Sequence, residues 1–142
     1  MKATSERSGP REQLMDFSGK YLSVTSFYRD GRPVATPVWF VHQGGRLLVE
    51  TDADSYKVRR IRENPSVLVA SCTASGRLRS RQVKARAEIL GPEALEPTRK
   101  LVARKYRLDR IFILPLYRLV QRLQHKPSGK GESVILQITP EA

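Results

Sequence analysis

Ten consecutive residues, Thr51-Asp52-Ala53-Asp54-Ser55-Tyr56-Lys57-Val58-Arg59-Arg60, place side chains able to cap a helix directly before a set of cations. A helix beginning here would offer unpaired backbone N–H groups and the positive end of its dipole, which together hold a phosphate without specialised side chains. Lys57 and Arg60 stand three apart and share a face, while Val58 and Ile61 point toward a core, so binding and packing would use different faces. Asp52 and Asp54 suit the start of the helix but weigh against an anion at the cap itself. The segment therefore also suits a solvated basic helix.

Two further places carry usable chemistry. In Thr36-Pro37-Val38-Trp39, an alternating strand sends Thr36 and Val38 to one side, and Pro37, lacking an N–H, leaves a gap in any ladder, as at a sheet edge. Trp39 offers a broad flat contact that would serve a core, a dimer contact or a ligand. Gln82 has the donors and acceptor that a heterocycle edge requires, and a surface position would suit it equally. Neither Cys72 nor His42 and His125 fall at metal-ligand spacing; Cys72, in an apolar run, reads as a small core residue, and the histidines as solvated. No catalytic acid or nucleophile can be assigned.

The elements that would position these residues follow from periodicity. Residues 21–28, rich in β-branched and aromatic side chains, lead into the hairpin turn Asp30-Gly31, and 33–42 alternates as a second strand. A third strand covers 47–51, the basic segment 54–65 forms a helix that Asn64-Pro65 stops, and strands follow at 66–73 and 82–90. Helices are predicted from Gly91 onward and over 109–125, with a last strand at 133–139. The order β-β-β-α-β-β-α-α-β lacks the βα alternation of a doubly wound parallel sheet and predicts hairpin-linked antiparallel strands closed into a six-stranded barrel.

A chain of 142 residues suits one core. Residues 1–12 are polar and without periodicity, so they are expected to be flexible, with 13–142 as the single domain; no signal-peptide core is visible, and the expected location is the cytoplasm. A net charge of +12 favours an anionic partner. In the segment 109–125, the apolar run 111–117 falls far below the ~20 residues that span a bilayer. It fits packing at the barrel mouth or a dimer interface better than peripheral contact with an anionic membrane.

Taken together, the hairpin Asp30-Gly31-Arg32-Pro33, the strand Thr36-Pro37-Val38-Trp39-Phe40, the segment from Thr51 to Lys57 with Arg60, and Asn64-Pro65 resemble the pyridoxamine 5′-phosphate oxidase-like split β-barrel superfamily, most closely its deazaflavin-dependent branch. The resemblance spans most of 19–139 and rests on order and spacing, since no single piece is specific. It implies a homodimeric antiparallel split barrel in which main-chain groups of Thr36, Pro37, Val38 and Trp39 line a tricyclic ring. It also implies that Thr51, Ser55, Tyr56, Lys57 and Arg60 hold ribityl and phosphate groups, and that Gln82 touches the ring. The basic cluster that vitamin B6 oxidases carry on the second strand is absent, and Ala35-Thr36-Pro37 stands there instead. The implied cofactor is thus coenzyme F420, whose anionic tail also accounts for the charge, with FMN as the alternative. The implied reaction is hydride transfer to or from an unsaturated or quinone-like small molecule. A non-catalytic barrel binding an anion or nucleic acid is a third reading; it is weakened because single-strand binding needs aromatics interleaved with cations, so no nucleic acid is expected.

Overall fold

The computed structural model describes residue 17, residues 19–106 and residues 132–141. The expected flexible segment 1–12 and the expected helix 109–125, with His125, lie outside the described residues. The chain runs β1 (Tyr21–Phe27), β2 (Pro33–Val38), β3 (Val41–Gln43), β4 (Arg46–Asp52), α1 (Tyr56–Glu63), β5 (Ser66–Cys72), β6 (Val83–Ile89), a 3₁₀ turn (Pro92–Ala94), α2 (Leu95–Lys105) and β7 (Ser133–Pro140). All strand pairs are antiparallel, and the sheet order is β2-β1-β5-β6-β7-β4-β3.

Alternation fixes which face each strand buries. Leu22 and Val24 of β1, Leu47 and Val49 of β4, Val67 and Val69 of β5, Ala85 and Ala87 of β6, and Leu136 and Ile138 of β7 meet Phe40 and Ile61 in one core. Each Val, Leu, Ile or Phe side chain among these contributes about 1.5–3 kcal/mol on burial, the two alanines less. The second face of β3, β4 and β7 is also covered: Val41, Leu48 and Ile135 pack with Tyr106, and Leu101 and Val102 of α2 lie against them. β7 therefore contributes to both clusters, Leu136 and Ile138 to the first and Ile135 to the second.

Seven strands stand where six were expected, because the second strand breaks at Trp39 and Phe40 into β2 and β3. The cause lies far along the chain. The Phe40 N–H donates to the Tyr106 hydroxyl at 3.1 Å, and the Phe40 carbonyl accepts from Lys105 Nζ at 2.8 Å. The Tyr106 hydroxyl proton goes to the carbonyl of Lys20, at 2.8 Å, or of Phe40, at 2.9 Å. Side chains thus take over the bonds a neighbouring strand would make, and the segment turns from one end of the sheet order to the other. The result is a curled antiparallel sheet consistent with a split barrel.

Local chemistry explains the joins near the site. In the β1–β2 hairpin, the Gly31 N–H donates to the Tyr28 carbonyl at 2.9 Å and φ is +92° at Gly31, a conformation that disfavours any side chain. Asp30 Oδ1 accepts from the Arg32 N–H at 3.0 Å and steadies the turn. Helix α1 starts at Ser55, whose Oγ accepts from the Val58 N–H at 3.2 Å, and ends where Asn64 precedes Pro65. Its apolar residues Val58 and Ile61 face the barrel core, as their spacing predicts.

Candidate functional site

Three residues separate the end of β4 from α1, and over that distance the chain reverses tightly: the Ser55 N–H donates to the Asp52 carbonyl at 3.1 Å. Lys57 then sends its side chain back toward the strand, and Nζ donates to Thr51 Oγ1 at 2.8 Å. Only 8% of Lys57 is exposed, so the expected separation of a binding face from a packing face does not hold. The ammonium head of this buried side chain meets its polar partner on β4, Thr51. Burial, and then the charge of Arg60, push the Lys57 ammonium down to about 8, with Asp52 pulling weakly the other way.

Arg60 is held by a different strand. Its Nε donates to Ser26 Oγ at 2.7 Å, on a fully buried residue of β1, and its guanidinium lies 5.2 Å from the Tyr28 ring centroid. Ser26 and Tyr28 were not among the expected site residues. The only hint in the sequence was the hairpin that places Tyr28 near Arg32; nothing in spacing ties Ser26 to a residue 34 positions away.

Between the hairpin and α1 lies a groove of about 380 Å³ lined by Tyr28, Arg29, Asp30 and Arg32 on one side and Tyr56, Arg59, Arg60 and Glu63 on the other. Two of the four arginines are matched by acids, Arg29 with Glu63 at 3.0 Å and Arg32 with Asp30 at 2.8 Å. Arg59 and Arg60 are left as the net positive charge, Arg59 standing 5.6 Å from the Tyr56 ring centroid. Tyr56, 63% exposed, forms one wall of the groove. The arrangement offers flat aromatic surface and guanidinium groups to an elongated anion.

The structure thus brings together Thr51, Ser55, Tyr56, Lys57 and Arg60 around the start of α1. It treats the other expected residues differently. Thr36 and Val38 are half-buried on the inner face of β2, opposite Val24 and Leu22, whereas Pro37 is exposed on the outer face. Because β2 pairs only with β1, it is an outer strand of the sheet order, as Pro37 suggests. Its remaining main-chain groups point away from that ladder. Trp39 stacks on Tyr106 with ring centroids 4.4 Å apart and planes 8° apart, which covers one face of the indole. Gln82 sits exposed just before β6, and no hydrogen bond joins it to the residues around α1. His42, expected as a solvated group, is half-buried, with Nε2 2.8 Å from the Phe17 carbonyl oxygen. Among the described residues no cluster of His, Cys, Asp or Glu could hold a metal ion, and no helix is long and apolar enough to cross a membrane.

A cofactor phosphate can be tested against this chemistry. An ammonium with three donors and one hydrogen-bonded hydroxyl, depressed by burial and by a neighbouring cation, has donors to give and charge to be neutralised. A guanidinium anchored through Nε keeps its terminal nitrogens for a second oxygen. The residues present fit an anionic phosphoryl group.

Comparison with known families matches the model described as pyridoxamine 5′-phosphate oxidase over residues 12–142. Comparison with curated protein sequences gives no significant match. Among solved structures, a conserved hypothetical protein of Mycobacterium tuberculosis, Rv2991, is 24% identical with a TM-score of 0.61, over 92% of this chain and 79% of that one. A protein described as an F420 reductase is 19% identical with a TM-score of 0.55, over 92% and 93% of the two chains. A FAD-binding protein of Mesorhizobium loti is 18% identical with a TM-score of 0.56, over 94% and 91%. At these identities the likeness is one of fold.

Proposed function

The chain belongs to the pyridoxamine 5′-phosphate oxidase family, and from that membership we propose that it is an oxidoreductase using coenzyme F420, passing a hydride between the reduced deazaflavin and an unsaturated or quinone-like small molecule. The observation that carries the reading is the buried Lys57 ammonium, next to Arg60 and bonded only to Thr51 among the described residues. Such a group is poised for an anion rather than for packing. The groove between Tyr28 and Tyr56, with Arg59 and Arg60 in excess over acids, supports an anionic tail longer than that of FMN. That one structural neighbour is described as an F420 reductase is consistent with this choice.

In this reading Lys57 and Arg60 bind the phosphoryl oxygens, Thr51 and Ser55 fix the approach of the chain around them, and Tyr56 walls the tail. The main chain of Thr36, Pro37, Val38 and Trp39 lies along the ring, with Tyr106 holding Trp39 in place. Gln82 enters only if the site is completed by a second copy. When bound, the deazaflavin supplies the hydride chemistry, and the protein's part is to orient it and to exclude water. We read the active form as a homodimer, supported by the exposed Pro33, Ala35 and Pro37 on the outer strand.

Fluorescence titration with F420 and FMN tests the reading. Wild type is expected to bind F420 more tightly than FMN, and Lys57→Met, which keeps the buried stem, should weaken F420 by about 10- to 100-fold through loss of a charged hydrogen bond. Tighter binding of FMN, or binding of neither, would overturn the assignment.

A further inference from the structure

We propose that the hairpin joining β5 and β6 docks the protein on an anionic phospholipid surface. Arg77, Arg79, Arg81, Lys84 and Arg86 are all exposed, and the sequence holds no acid between Glu63 and Glu88. None of these five side chains makes a hydrogen bond or ion pair among the described residues. Elsewhere Arg29, Arg32 and Arg99 each face a carboxylate and Arg46 faces Gln137, while the exposed Arg59, Arg62, Lys100 and Arg104 also lack an ion pair among the described residues but are spread over α1 and α2. Lone surface cations are ordinary, but Arg77, Arg79 and Arg81 crowd one acid-free turn, and with Lys84, which stands opposite Glu141, and Arg86 on the adjoining β6 they form a polybasic patch of the size that anionic lipid attracts.

The hairpin also has the second component that a lipid surface recognises. Leu78 lies between Arg77 and Arg79 and is 43% exposed. Its backbone is fixed by a bridge to Cys72, and the Arg79 N–H donates to the Ser71 carbonyl at 2.8 Å, so the leucine is held outward on an ordered arm. Lys84 and Arg86 stand across from Leu68 and Ser66 on the same sheet face as Leu78. An apolar side chain flanked by cations suits the boundary between headgroups and acyl chains.

The same patch is poorly suited to single-stranded nucleic acid. No aromatic residue occurs between Ser66 and Gly91, and the exposed tyrosines among the described residues, Tyr28 and Tyr56, line the groove beside α1 instead. Base stacking would have no platform here. The docking proposal does not depend on which cofactor the protein uses.

Co-sedimentation with unilamellar vesicles decides the matter. The protein should bind vesicles of phosphatidylcholine mixed with phosphatidylserine, ignore phosphatidylcholine alone, and be released by high salt. Arg79→Gln with Arg81→Gln should weaken binding about 25-fold, since each cation near the surface contributes about fivefold. Both side chains are exposed and unpaired, so the pair should melt as wild type does. Leu78→Ser should weaken binding without changing its salt dependence, which provides a second readout if the arginine variant fails to fold. Lys100→Ala with Arg104→Ala on α2 removes the same charge elsewhere and should bind as wild type. Three results would overturn the proposal: no binding to the anionic vesicles, equal loss in the α2 variant, or displacement by duplex DNA at matched phosphate concentration.

Discussion

Lys57 is a buried cation whose Nζ donates to Thr51. Its folded pKa of about 8 lies below the 10.5 of a free lysine, so between those values the unfolded chain binds more protons than the folded one. Stability must therefore rise as pH climbs from about 8 toward 10.5, by at most about 3 kcal/mol. Urea unfolding at several pH values should show this rise in wild type and not in Lys57→Met; parallel profiles for the two proteins would contradict it. The same linkage acts on ligands. An anion that binds the protonated ammonium should lose affinity as pH passes about 8, which titration of F420 across that range would reveal. Lys105 is also lowered to about 8 by burial, but it stays exposed enough at the end of α2 for solvent to mute its effect. Thr25 poses the opposite case: its buried hydroxyl has no hydrogen-bond partner among the described residues. Thr25→Val keeps the shape and removes the unpaired group, so chemical denaturation should show a gain of about 1 kcal/mol. A loss would mean that the hydroxyl is satisfied in the native assembly.

At the scale of elements, most boundaries were legible because short-range forces set them. The β-branched content of β1, the continuous apolar run of β5, alternation in β6, the Asp30-Gly31 turn, the Ser55 cap and the Asn64-Pro65 stop each act within a few residues. The break between β2 and β3 was not legible, since its cause, Tyr106, lies 66 positions from Phe40. The burial of Lys57 was missed for a related reason: a charge is assigned to solvent by default, and only the tight reversal between β4 and α1 brings its ammonium back to Thr51. Tyr106→Phe should cost about 1–3 kcal/mol, because the buried Phe40 N–H loses its acceptor while the ring contacts remain. Thermal melting would measure the loss, and near-ultraviolet circular dichroism would report whether Trp39 keeps its stacked geometry.

At the scale of the whole molecule, charge is the property the sequence states most openly and the fold explains least. A net of +12 repels itself in the folded protein, so the melting temperature should increase with moderate salt, and scanning calorimetry at increasing ionic strength checks the sign. A fall would show that the ion pairs at Glu63, Asp30 and Glu50 outweigh the repulsion. The proposed homodimer is checked by light scattering coupled to size-exclusion chromatography, where a stable monomer at micromolar concentration would exclude it. The antiparallel character of the sheet followed from hairpins, whereas the split barrel was reached through resemblance of ordered pieces and then the family match.

The sheet order has a consequence for how the protein is made. β7, the last of the described strands, lies between β6 and β4, and the register joins Leu47 to Ile138 and Ala87 to the same residue from the other side. On the ribosome, the β1–β2, β3–β4 and β5–β6 hairpins can form as they emerge, because each pairs neighbours in sequence. The two groups they build cannot join through the sheet until 133–140 has been synthesised and released from the exit tunnel. Closure therefore waits on 133–140 and is governed by long-range contacts, which are slow to form. Until then the apolar edges of β4 and β6 stay open, and nascent chains stalled before residue 133 should be the species that chaperones hold and proteases cut.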